Sequence, residues 1–77
     1  MYIKNKIRKY HIKKLNEALE ELKFHKNVKN RLESELISAS NDESKLEITR
    51  SIAKQNNIIC IWEKNIEKIN KQLEKIK

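Results

Sequence analysis

The amino-acid sequence predicts an all-α protein: an antiparallel two-helix, coiled-coil-like hairpin that self-associates into a four-helix or larger bundle. Its 77 residues include no glycine and no proline, so the usual residues of tight β-hairpin turns and phosphate-binding loops are absent. Charged residues make up 38% of the chain and apolar residues another 38%, a composition typical of long helices. Apolar residues also recur with a helical period in both halves. We treat residues 1–77 as one domain.

Helix 1 is expected over residues 3–37, with apolar side chains on more than one strip. The most regular strip supplies the predicted seam of this helix, which consists of Ile12, Leu15, Leu19 and Leu22. A neighbouring strip, predicted to face another copy or a partner, consists of Val28, Leu32 and Leu36. At about 100° per residue, these strips occupy a wider part of the helix circumference than a single partner helix can contact. We therefore expect helix 1 to pack against two neighbours.

The reversal is expected at residues 38–42, a stretch rich in serine, asparagine and aspartate. These side chains compete for backbone hydrogen bonds and therefore favour turns and caps over helix interiors. Ser40 and Glu43 have the spacing of a capping box, in which a serine oxygen accepts a backbone amide three residues on. This combination favours a hairpin over the alternative of one continuous helix in a parallel dimer.

Helix 2 is expected over residues 42–76, and its seam is the clearest pattern in the sequence. From Ile48 to Ile76, nine positions alternate in steps of four and three, and Gln55 is the single polar exception. The central seam residues are Ile59, Trp62, Ile66 and Ile69. Ile58 and Ile61 lie off the seam and are predicted to contact another copy or a partner.

A register check supports the antiparallel pairing of the two helices. If the chain folds back near residue 40, the numbers of facing residues sum to about 81, as in a hairpin with a seven-residue repeat. Lys26, where the helix 1 seam breaks, then faces Gln55. Because one polar layer can fix the register of a helix pair, this coincidence favours the hairpin.

Positive charge is concentrated where the two chain ends meet. Residues 1–14 contain six basic and no acidic residues, and residues 64–77 contain five basic and two acidic ones, within a total net charge of +7. Basic side chains interleaved with an aromatic ring are typical of surfaces that bind anions. The predicted anion-binding or partner-binding residues are Lys4, Lys6, Arg8, Lys9, Tyr10, Lys13 and Lys14.

Several classes of protein are disfavoured by the sequence. His11 and His25 are fourteen residues apart and Cys60 is the single cysteine, so we predict no metal site, no cofactor and no catalytic residues. The longest apolar run, residues 58–62, is far short of the roughly 20 residues that span a bilayer. No apolar stretch follows the basic N-terminus, so we expect a cytoplasmic protein without a secretory signal. Membrane attachment by residues 1–15 is not favoured, because their apolar face is interrupted.

Two functions remain. The first is a small, basic, non-enzymatic interaction protein that oligomerises and binds or inhibits a larger protein with an acidic surface. The excess of isoleucine, lysine and asparagine indicates an AT-rich gene, which would suit a phage or mobile element acting on a protein of its host's cytoplasm. The alternative is the binding of nucleic acid or a nucleotide by the basic open end of the hairpin.

Overall fold

A computed structural model describes residues 2–76, and the side chains of residues 3–76. The chain forms two helices, α1 (Tyr2–Ser38) and α2 (Asp42–Ile76), joined by a reversal at residues 39–41. The hairpin measures 61 Å along its length and 14 by 12 Å across. The predicted all-α, two-helix hairpin is confirmed, and the part of the chain that the structure describes contains no strand.

The cap of α2 differs from the predicted one. The Asn41 side-chain oxygen Oδ1 accepts a hydrogen bond from the Ser44 amide at 2.7 Å, and the Asn41 carbonyl accepts one from the Lys45 amide at 3.1 Å. Asn41 is therefore the N-cap, and the prediction of Ser40 was wrong. Since α1 ends at Ser38 and α2 begins at Asp42, Ser40 lies within the reversal and Asn41 immediately precedes the helix.

The inner face of α2 is the nearly continuous apolar stripe that its spacing indicates. Ile59 is buried, with 8% of its surface exposed, and Trp62, Ile66 and Ile69 are half-buried beside it. Half-buried side chains continue the same steps of four and three towards both ends of the helix, at Ile48, Ile52, Gln55, Leu73 and Ile76. This stripe supplies most of the apolar surface that holds the hairpin together.

The inner face of α1 departs from the prediction. Its least exposed residue is Ala18, at 1%, and the remaining inner positions are half-buried: His11, Leu15, Leu22, His25, Lys29, Leu32 and Leu36. Ile12 and Leu19, two of the predicted seam residues, are instead 39% and 46% exposed. Each lies one residue beyond an inner position, because the repeat that places Leu15 and Leu22 inside selects His11 and Ala18.

The second strip predicted for α1 is also partly covered within the hairpin. Val28, Leu32 and Leu36 are half-buried, and Leu32 and Leu36 fall on the inner positions of the seven-residue repeat. Leu32 and Leu36 therefore belong to the seam between the helices, whereas Val28 lies beside it. The large exposed side chains of α1 lie elsewhere.

A polar layer joins the helices near the middle of the hairpin. His25 Nδ1 lies 2.8 Å from the side-chain oxygen Oε1 of Gln55, and the numbers of these two residues sum to 80. Lys26, which was predicted to face Gln55, is exposed, so that assignment was wrong by one residue. The register is therefore shifted by one from the predicted sum, and histidine supplies the partner for the glutamine.

Candidate interaction surfaces

The basic side chains of α1 line the exposed surface of its first four turns. Six basic residues and one aromatic residue predicted to bind an anion or a partner are all exposed: Lys4, Lys6, Arg8, Lys9, Tyr10, Lys13 and Lys14. The first turn of α1 contains no acidic residue. The partial positive charge at a helix N-terminus favours anions, so here the helix dipole adds to the charge of the lysines.

A second basic cluster, which the sequence analysis did not assign to the site, lies on α2. Lys64, Lys68 and Lys71 border a shallow depression of about 470 Å³ together with Ile61, Asn65 and Glu67. Lys71 Nζ lies 3.4 Å from Glu67 Oε1, and both side chains are largely exposed. The spacing of 64, 68, 71 and 75 in the sequence is the signal that identifies this strip of lysines.

A groove between the helices connects the two basic clusters. It encloses about 330 Å³, and its lining consists of Tyr10, His11, Lys14, Glu17, Ala18, Trp62, Asn65 and Ile69. The small side chain of Ala18 leaves room beside the indole of Trp62. Lys14 Nζ lies 3.7 Å from Glu17 Oε2 and 5.7 Å from the centre of the Tyr10 ring, so it spans the rim of the groove.

The aromatic ring predicted to stack on a ligand already has neighbours within α1. The Tyr10 and His11 rings meet edge to face, with their centroids 5.4 Å apart. Lys14 approaches the same tyrosine ring at cation–π distance. The three side chains thus form one cluster of mixed aromatic and basic character at the open end, in which Tyr10 and Lys14 are exposed and His11 is half-buried.

Charge changes sign along the hairpin. We call residues 1–14 and 64–77 the open end and residues 32–49 the closed end; residues 1 and 77 lie outside the described part. The open end has eleven basic and two acidic residues, a net charge of +9, whereas the closed end has one basic and five acidic residues, a net charge of −4. The remaining residues carry +2. The two ends of a rod 61 Å long are therefore oppositely charged.

Much of the apolar surface of the hairpin is open to solvent. Among the described side chains, Ala18 and Ile59 alone are buried, and nine large apolar or aromatic side chains are exposed: Ile3, Ile7, Tyr10, Ile12, Leu19, Phe24, Ile37, Leu46 and Ile61. Scattered apolar residues are normal on a protein surface, but contiguous ones mark contact sites. Of the two residues that were predicted to lie off the α2 seam, Ile61 is exposed and Ile58 is half-buried.

Other kinds of site find no support among residues 2–76. No group of three or more potential metal ligands occurs in that part of the chain, and Cys60 is exposed and unpaired with another cysteine. Neither described helix is long and apolar enough to cross a membrane. The candidate binding surfaces are the basic clusters, the groove between them and the exposed apolar side chains.

No protein-family model matches this chain, and no match is found among curated proteins or among solved structures. The features of the molecule that bear on function are the distribution of charge along the hairpin and the apolar side chains that its fold leaves exposed. Both features concern contact with another molecule.

Proposed function

We propose that this chain is a non-enzymatic interaction protein that self-associates and docks through its basic open end on a larger protein with an acidic surface. The observation that carries the proposal is the small number of buried side chains in the hairpin. Ala18 and Ile59 are the only buried side chains among those described, whereas nine large apolar or aromatic ones are exposed.

The energetic reason is the small area that two helices can bury against each other. Burial of apolar surface contributes roughly 25 cal/mol per Å², and small chains with little interior commonly gain stability from oligomerisation, a metal or disulfides. The single cysteine cannot form an internal disulfide. Association with a second hairpin would remove part of this exposed apolar surface from water and add stabilisation.

The basic open end supports the second part of the proposal. A surface with a net charge of +9 over residues 1–14 and 64–77 attracts acidic partners and accelerates their association at low salt. Ile3 and Ile7 are exposed among these lysines, so the same end offers apolar contacts as well as charge. This mixture is typical of protein interfaces, in which charge steers the encounter and apolar contacts stabilise the complex.

Nucleic acid or a nucleotide is the second candidate ligand, and one observation favours it. Tyr10 is exposed beside Lys14, on the rim of a groove whose lining includes Trp62. Aromatic rings among basic side chains bind nucleic acids by stacking on bases while the cations contact phosphates. Binding of this kind weakens steeply with salt, with a log–log slope of roughly −0.7 per phosphate contacted on a single strand.

Two variants with the same net charge distinguish binding at the open end from non-specific electrostatic attraction. The first carries Lys6→Glu, Lys9→Glu and Lys13→Glu at the open end. The matched control carries Lys23→Glu, Lys26→Glu and Arg50→Glu, three exposed basic residues between the open and closed ends. Both changes lower the net charge from +7 to +1, so a difference between the variants reports the location of the charge.

Light scattering coupled to size-exclusion chromatography, with absorbance at 260 and 280 nm, provides the first measurement. We expect a defined oligomer with protein-like absorbance in low and high salt, and capture of an acidic protein from lysate that only the open-end variant loses. A monomer at all concentrations would contradict self-association. An excess of 260 nm absorbance that disappears in high salt would favour nucleic acid or nucleotide over protein as the ligand.

A further inference from the structure

We propose that a second copy of this chain covers one face of the hairpin in the antiparallel orientation, with each basic open end beside the acidic closed end of its partner. This inference rests on the self-association proposed above and names the face and the orientation. We call this surface the Phe24 face, formed by Tyr10, Phe24 and Val28 of α1 and by Ile58 and Ile61 of α2.

The seven-residue repeat places these side chains on the same side of the hairpin. The lining of the groove shows that Glu17 of α1 and Asn65 of α2 lie on one side of the seam. Because inner positions repeat every seven residues in both helices, Phe24 shares the side of Glu17, and Ile58 shares the side of Asn65. Ile61 borders the depression that also includes Asn65.

The apolar centre of the Phe24 face lies near the middle of the rod. The midpoints of α1 and α2 fall near residues 20 and 59, so Phe24, Ile58 and Ile61 lie about one helical turn or less from the middle at 1.5 Å per residue. Phe24 and Ile61 are 60% and 64% exposed. A two-fold axis through this region brings the same apolar patch of both copies together, as an isologous interface requires.

Charge then selects the antiparallel orientation. In a parallel pair, the two open ends of +9 would lie side by side and repel each other. In an antiparallel pair, each open end lies beside a closed end of −4. The face itself carries matching charges: Lys14 lies ten residues before Phe24 in α1, and Glu35 lies eleven residues after it. A two-fold axis near Phe24 therefore brings Lys14 of one copy close to Glu35 of the other.

The area available is enough for a stable dimer. One face of a rod that measures 61 by 14 Å, paired about an axis near Phe24 that lies about 6 Å from the middle, overlaps its partner over about 690 Å² per copy, and specific interfaces bury about 600–1,000 Å² per partner. The opposite side carries Ile12, Leu19, Ile37 and Leu46, but of these only Leu19 lies near the middle of the rod. The Phe24 face thus presents the larger central apolar cluster.

Paired substitutions on the two sides test which face is covered. Phe24→Asp with Ile61→Asp places two carboxylates in the proposed interface, and Leu19→Asp with Leu46→Asp places two on the opposite side. All four side chains are exposed in the single hairpin, so circular dichroism should show helices in both variants. We expect the first variant to lower the dimer affinity at least tenfold and the control to change it less than threefold. The reverse result would overturn the choice of face.

Cross-linking tests the orientation even if those variants lose helicity. Lys14→Cys and Glu35→Cys are made separately in a Cys60→Ser background, mixed and oxidised. An antiparallel pair forms disulfides between positions 14 and 35 of different copies, and mass spectrometry identifies that peptide. Homotypic 14–14 and 35–35 links, or an oligomer with no 14–35 link, would overturn this inference while leaving self-association intact. A protein that is monomeric at all concentrations would overturn both proposals.

Discussion

The two helices differ in how they use their apolar residues, although they are nearly equal in length. In α2, eight of the nine inner positions from Ile48 to Ile76 are apolar, and Gln55 is the exception. In α1, the inner positions include His11, Ala18, His25 and Lys29 among four leucines. Most apolar side chains of α2 therefore lie in the seam, whereas those of α1 are divided between the seam and the solvent-exposed surface.

This difference assigns different roles to the helices. Seven of the nine large exposed side chains belong to α1, and so do six of the basic residues at the open end. A helix with apolar and basic side chains on several sides can contact more than one neighbour at a time. We infer that α1 makes more of the external apolar contacts, and that α2 adds Ile58, Ile61 and its cluster of lysines.

The largest expected effect on stability comes from a pair of isoleucine-to-alanine substitutions, one in each helix. Ile59→Ala should lower the free energy of unfolding by about 2–4 kcal/mol, because it removes a buried side chain and leaves a cavity. Ile12→Ala should cost less than about 1 kcal/mol, because that side chain is partly exposed and alanine favours the helix. Urea unfolding at one fixed protein concentration measures both values. Equal losses would show that Ile12 is buried as deeply as Ile59 and would contradict its exposed position.

The seam of α2 could be predicted from the sequence because only one set of positions in this helix gives a continuous apolar stripe. In α1, hydrophobicity favoured Ile12 and Leu19, whereas packing selects Ala18. The reason lies on the other helix: the groove places Ala18 beside Trp62, and a bulky indole needs a small residue next to it. A pattern within one helix does not reveal the size of the residue opposite, so half of the α1 seam was misassigned.

The candidate surfaces were predictable to a similar degree. The basic residues of α1 were identified from charge alone, because six bases without an acid in fourteen residues form a conspicuous run. The basic residues of 64–77 were also placed at the open end from the sequence, but Lys64, Lys68 and Lys71 were not assigned to the binding surface. The helical repeat brings these three lysines to the edge of one depression. The groove lined by Tyr10 and Trp62 could not be predicted, because its position depends on the register between the helices.

The polar layer offers a smaller and more specific test of the helix pairing. His25→Leu leaves the Gln55 side chain without its partner at 2.8 Å and should cost about 1 kcal/mol. His25→Leu together with Gln55→Leu should restore the stability of the original protein or exceed it, because both polar groups are then replaced by apolar ones. A double-mutant cycle in urea gives the coupling energy. Additive effects would indicate that the two side chains do not interact in solution.

The most local test concerns the reversal, where Ser40 and Asn41 are adjacent candidates for the N-cap of α2. Asn41→Ala removes the side-chain oxygen that accepts the Ser44 amide at 2.7 Å, and should lower the free energy of unfolding by about 0.5–2 kcal/mol. Ser40→Ala is the matched control and should change it by less than about 0.5 kcal/mol, as is usual for a surface position. Thermal unfolding at one concentration compares the two. A larger loss for Ser40→Ala would restore the capping box with Glu43 and move the start of α2 by one residue.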